Sequence, residues 1–193
     1  MIWPIKFYGV KMTDLFSSVP EKASLQDVLI TFPHASNELL EFVEKVMRSE
    51  SPLSVGEREL IATYVSALNS CEFCYGAHLN FCVAFGIDSD LIEQMIKDLD
   101  SASIEPKLRP LLAYVRKLTL NPSKMLKVDA QEVYRHGWDE RALFDTVQVC
   151  ALFNMMNRIV DGTGVSADTI NTNLTAQHLE PLRKMSYSDL SPK

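Results

Sequence analysis

The stretch Cys71-Glu72-Phe73-Cys74-Tyr75-Gly76-Ala77-His78, with Glu59 twelve residues upstream, decides how the rest of the chain is read. On a helix, positions 71, 74 and 78 are separated by steps of three and four, so both sulfurs and the imidazole project from one face. Two cysteines three apart can form a tight loop in which one thiolate attacks a substrate and the other resolves the product into a disulfide. That chemistry needs a base, and His78 exchanges protons near neutral pH one turn beyond Cys74. Glu59 is the candidate carboxylate to orient it. The inert reading of the same residues is two small apolar side chains and a core histidine. Zinc would need a fourth ligand, from His34, His136 or Cys82, beside the three in this cluster.

Working outward, Ser54-Val55-Gly56-Glu57 reads as a capping box that opens a helix with Leu60, Ile61, Tyr64, Val65 and Leu68 on its buried side and Glu59 riding on it. The next helix begins after Asn69-Ser70. At about 1.5 Å per residue, Glu59 lies roughly 15 Å and His78 roughly 10 Å from the intervening turn. The two are thus within about a turn of each other, and a water-bridged relay from Glu59 through His78 to a cysteine is feasible. Cys71 falls at the helix N-terminus, where the partial positive charge favours a thiolate. Leu79, Cys82, Val83 and Phe85 continue the apolar face, and Gly86 closes the helix. Cys82 shares the face of 71, 74 and 78, but its Phe81, Val83 and Phe85 neighbours assign it to the core.

The remaining text is helical in the same way. Ser24 to Thr31 forms a short helix ended by Phe32-Pro33. Ser36 caps a helix to about Arg48, and Asp88 or Ser89 starts a short one through Ile96. Glu105 to Leu120 is amphipathic and stops at Asn121-Pro122, and Asp129-Ala130-Gln131-Glu132 opens a helix that Gly137 closes. Asp139 caps the longest one, Glu140 to about Val160, which is apolar nearly all round and expected to be central, with Met155 and Met156 as core filler. Asn154, Asn157 and Arg158 near its end read as junction capping and subunit pairing. Ser166 to Lys193 is expected to hold one more helix and a frayed tail. With no sustained strand signal the class is all-α, which removes a thioredoxin-like fold.

A chain of 193 residues with 47% hydrophobic content builds one substantial core. We expect a single domain, 1–193, with its core at about 33–163, an aromatic N-terminal arm over 1–32 and a C-terminal helix and tail over 164–193. The net charge of -6 without a Lys/Arg cluster argues against nucleic acid, and no apolar run reaches the ~18 residues a membrane span needs. Four cysteines in this length do not make a disulfide framework, so the expected compartment is the cytoplasm.

Glu59, eleven residues, Cys71, two residues, Cys74, three residues and His78 resemble the signature of AhpD-like alkylhydroperoxidases, in the carboxymuconolactone decarboxylase superfamily and specifically its peroxidase-related branch. The resemblance covers residues 33 to 163. It implies an AhpD-like helical bundle, a trimer or hexamer, and reduction of a hydroperoxide by the cysteine pair without metal or cofactor. A dithiol donor, lipoyl, thioredoxin-like or another small thiol, reopens the disulfide. In that reading Cys74 is the nucleophile, as the second cysteine is in the family, and Cys71 resolves and faces the donor. The family's own AhpD has a histidine just before the second cysteine, where this chain has Phe73. Two alternatives stand beside it: lactone decarboxylation, whose branch does not use a CxxC pair, and a redox-sensing or zinc-binding helical oligomer.

Overall fold

The computed structural model describes residues 15–191, so most of the expected aromatic arm, with Trp3, Phe7 and Tyr8, lies outside the described residues. Phe16 is within them and meets Phe32 edge-on at 5.6 Å. Nine α-helices follow one another among the described residues: α1 Leu25–Thr31, α2 Ser36–Arg48, α3 Val55–Leu68, α4 Glu72–Ala84, α5 Ser89–Lys97, α6 Leu108–Leu120, α7 Lys127–Arg135, α8 Glu140–Thr163 and α9 Ala176–Lys184. Two short 3-10 turns lie between helices and a third follows α9, and the described residues contain no strand, so the all-α class stands.

Local chemistry explains most of the boundaries. Ser24 and Asp27 form a reciprocal capping box on α1, and Ser54 and Glu57 another on α3, so backbone donors at both helix starts are satisfied. Gly86 follows α4 with φ of 84°, a left-handed turn that costs a residue without Cβ little. Two starts differ from expectation. Ala35, not Ser36, precedes the first turn of α2; the Ser36 hydroxyl instead donates to the carbonyls of Leu29 and Phe32, tying α1 to α2. Asp129 does not precede α7 but lies three residues inside, where its carboxylate accepts from the Leu126 amide at 2.7 Å.

The helix at the centre is α3, not α8. Every residue from Arg58 to Ala67 is buried, and α2, α4, α5, α6 and α8 all pack on it. Burying side chains such as Leu60, Ile61 and Val65 contributes about 1.5–3 kcal/mol each. By contrast α8 keeps an outward stripe with Phe144 and Met155 exposed, which corrects the expected all-round burial and the reading of Met155 as core filler. Its inward side carries Asn157, whose amide donates to Ser66 Oγ at 3.0 Å while its oxygen accepts from Asn69 at 2.8 Å. These bonds fix the end of α3, including the Ser66 carbonyl that receives the Cys71 amide. The Asn group therefore does cap a junction, the one that delivers the cysteines.

The described residues after α8, which include the expected further helix α9, pack on the rest of the fold. Ile170 lies 3.3 Å from where a Cβ on Gly76 would be, Asn80 donates to the Asn171 carbonyl, and Arg183 donates to the carbonyl of Ala84. This segment runs along α4, and the 3-10 turn Tyr187–Leu190 docks on α2, where the Tyr187 amide donates to Glu44.

Candidate active site

Cys71 is the N-cap of α4, in extended backbone just ahead of the first helical residue, and Cys74 lies in the first turn. They approach within 3.2 Å of each other and both are free thiols. Cys71 is fully buried and Cys74 is 4% exposed; both pack on Val160, with Leu25, Phe73 and Val165 around them. Phe73, standing where AhpD carries a histidine, thus forms an apolar wall of the dithiol. The Cys71 thiol is pushed far up from its ordinary value, first by its hydrogen bond to Cys74 and then by burial. The neighbouring sulfur and burial thus oppose the partial positive charge of the helix N-terminus at Cys71.

His78 and Glu59 meet directly, without an intervening water. Nδ1 of His78 and Oε2 of Glu59 are 2.6 Å apart on facing positions of α4 and α3, and Glu59 is fully buried. Burial opposes ionisation of this carboxyl, but the His78 charge and hydrogen bond, followed by Arg48, outweigh it and hold Glu59 below the usual carboxylate range. Phe153 packs edge-on against the imidazole at 4.3 Å and Phe81 lies beside it. Among the described residues no direct hydrogen bond joins His78 to Cys74, one turn back along α4. Its Nδ1 being engaged, Nε2 is the atom left for exchange with the thiols.

Three residues of this surround were not selected from the sequence. Arg48, at the end of α2, donates to Glu59 Oε1 at 2.6 Å and lies 4.7 Å from the Tyr187 ring centroid. The Glu59 partner is therefore Arg48; its sequence neighbour Arg58 instead caps α2 through the carbonyls of Val46 and Ser49. Tyr187, from the expected tail, donates its hydroxyl to the same Oε1 at 3.0 Å. Burial and the Glu59 charge push its phenol well above the ordinary value, so it remains a donor. Asp161 lies in the last turn of α8, directly after Val160, which packs on both cysteines, and burial moves its carboxyl upward.

Tyr187→Phe deletes the hydroxyl and keeps the ring. A hydrogen bond to a charged group contributes about 1.5–3 kcal/mol, so a loss of that size is expected in urea unfolding, with the midpoint shifting and the slope unchanged.

Cys82, as expected, belongs to the core: it is fully buried, its sulfur lies 3.3 Å from Thr63 Oγ1, and burial pushes its thiol up to about 12. Among the described residues no group of three or more His, Cys, Asp or Glu side chains is arranged to hold a metal ion. His136, one proposed completing ligand, instead bonds the Glu132 carbonyl on α7. Among the described residues no helix is long and apolar enough to cross a membrane.

An all-helical subunit that sets two free thiols at the start of one helix and a buried Glu–His pair between that helix and the central one defines a class, the AhpD-like fold. Residues 33–117 match the model of the carboxymuconolactone decarboxylase family. Over those residues the chain is thus similar to that family, and its helical fold matches the AhpD core. Among solved structures it is similar to an uncharacterized peroxidase-related protein from Silicibacter sp. TM1040, with 27% identity, 73% of this chain and 74% of that chain covered, and a TM-score of 0.68. It shares its fold with an alkylhydroperoxidase AhpD core protein, also an uncharacterized peroxidase-related protein, from Ralstonia eutropha JMP134, at 22% identity, 79% and 76% coverage and a TM-score of 0.65. No curated protein matches significantly.

Proposed function

We infer that the protein is a thiol-dependent peroxidase that reduces hydroperoxides through a Cys71–Cys74 dithiol/disulfide cycle. The observation that carries this is the free thiol pair at 3.2 Å on the same helix face as a histidine bonded to a buried carboxylate. Glu59 orients His78 and balances its charge; His78, through a water on Nε2, takes the Cys74 proton. The Cys74 thiolate attacks the peroxide, the O–O bond breaks, the departing alkoxide recovers the proton as an alcohol, and Cys74 becomes a sulfenic acid. Cys71 condenses with it, releasing water, and an external dithiol reduces the disulfide. Cys74 takes the attacking role because it lies one turn from His78 on α4 and, of the two cysteines, is the one with exposed surface. The outward Phe144 and Met155 support assembly into a homo-oligomer, with the cytoplasm as the compartment.

The test is peroxide consumption coupled to a dithiol donor, with wild type beside His78→Ala and zinc determined on the same samples. General-base participation predicts a fall of about a hundredfold or more in His78→Ala. Stoichiometric zinc, or wild-type protein that consumes no peroxide with any dithiol, would overturn the reading.

A further inference from the structure

Glu59 carries one negative charge and stands between two side chains that can claim it. Its Oε2 lies 2.6 Å from His78 Nδ1, while its Oε1 accepts from Arg48 Nη1 at 2.6 Å and from the Tyr187 hydroxyl at 3.0 Å. The relay described above uses only the Oε2 half. Glu59, His78 and Tyr187 are buried, and only 14% of the Arg48 side chain is exposed. Its guanidinium faces the rings of Phe81 at 5.4 Å and Tyr187 at 4.7 Å.

The other charged groups on the surrounding elements turn elsewhere. Arg58 donates to the Val46 and Ser49 carbonyls, Glu44 takes the Tyr187 amide, Asp145 takes the Ser51 hydroxyl, and Arg183 donates to the Ala84 carbonyl. On α4 itself Cys82 faces Thr63 and Cys74 faces Cys71, and α8 offers the imidazole only the Phe153 ring. The charge balance at His78 is therefore set by Glu59 and Arg48.

A guanidinium keeps its charge throughout the working pH range, and burial makes a net charge on such a cluster costly. With the ring protonated, two cations face one carboxylate and the cluster carries a net positive charge. As pH rises only the ring can relieve this, by releasing its proton and leaving Arg48 and Glu59 as a neutral pair. Without the Arg48 charge the sign reverses: Glu59 and a protonated His78 are then the neutral pair, and the ring holds its proton to higher pH.

We propose that Arg48, seconded by Tyr187, is a positioning residue of the site: by holding Oε1 it takes up the Glu59 charge, so that His78 on Oε2 gives up its ring proton and stands as a neutral base. This rests on the dithiol cycle inferred above. An imidazolium has no free ring nitrogen to accept a proton, whereas the neutral ring receives at Nε2 the proton that leaves the Cys74 sulfur through water.

The experiment compares wild type with Arg48→Gln and Arg48→Met, both neutral, and with Arg48→Lys, which keeps the charge. In reduced protein without peroxide, the ring nitrogens of His78 are followed by NMR against pH, their signals assigned by loss in His78→Ala. Both neutral variants are expected to titrate at least about one pH unit higher than wild type, and Arg48→Lys close to wild type. In single-turnover oxidation by peroxide, the acid limb of the pH profile should move up by the same amount, about tenfold in rate per unit on that limb, with the rates converging at high pH. A His78 ring that titrates at the same pH in wild type and the neutral variants, or in none of them, overturns the assignment. So does a shift in Arg48→Lys as large as in the neutral variants, or a uniform fall in rate with the limb unmoved, either of which would make Arg48 purely structural. Should neither neutral variant fold, Tyr187→Phe carries the test: it removes the other Oε1 donor and should shift the ring the same way by less, and no upward movement there overturns the proposal. Wild type that consumes no peroxide, yet shows the Arg48-dependent shift of His78, keeps the role of Arg48 and removes the peroxidase reading.

Discussion

Cys74→Ser is expected to abolish peroxide turnover, by at least about three orders of magnitude, because a serine hydroxyl has neither the ionisation nor the nucleophilicity of a thiolate and cannot form a sulfenic acid. The exchange is close to isosteric at a position only 4% exposed, so the helix start that carries it should be preserved. The companion Cys71→Ser separates the two roles. It retains the attacking sulfur and should consume one equivalent of peroxide, then stall with a trappable sulfenic acid on Cys74. The check is a titration of peroxide consumed against free thiols lost in each variant. Full turnover in Cys74→Ser, or one-equivalent consumption by Cys74→Ser in place of Cys71→Ser, would reverse the assignment of nucleophile and resolver.

The second large effect is at Glu59. Replacing it with Gln preserves its volume but removes the counter-charge of Arg48 and the anionic partner of His78 while both stay buried. Breaking a buried ion pair from one side costs about 3–5 kcal/mol, and denaturant unfolding should register a loss of that order. The pH dependence has a definite sign. In the folded protein Glu59 is held below its ordinary value of 4.5, so its contribution is fully present above about that pH and is lost as pH falls through the lower folded-state value. The stability gap between wild type and Glu59→Gln should therefore narrow as pH falls below about 4.5. A gap that persisted unchanged into acid would mean that Glu59 acts by shape, not by charge.

How far the sequence disclosed this arrangement depends on how local each feature is. The α3–α4 pair and the placement of Glu59 opposite His78 follow from helical repeats, one short turn and the Ser54–Glu57 box, all within a few residues of one another. Asp129 was legible as a cap residue but not in its position, because an aspartate three residues inside a helix accepts the same kind of backbone donor as one in front of it. Centrality was misread for a different reason. The buried helix α3 carries Arg58, Glu59, Thr63 and Ser66, and composition counts such residues as surface. Each in fact has an internal partner: Thr63 and Ser66 donate to carbonyls one turn back, and the two charged residues reach α2 and α4. Arg48, Asp161 and Tyr187 come from three further elements, and no spacing rule links them to the motif.

The Tyr187 bond to Glu59 spans 128 residues of chain, which gives the site an order in time. A ribosome adding roughly 5–20 residues per second needs on the order of ten seconds to pass from one partner to the other. For most of that interval the carboxylate, Arg48 and His78 already exist, while the Tyr187 ring that completes their burial does not. The proton relay is thus finished late in synthesis, well after both cysteines have emerged. The nascent dithiol is the older part of the machine, and the environment that tunes it arrives with the 3-10 turn that closes over α2.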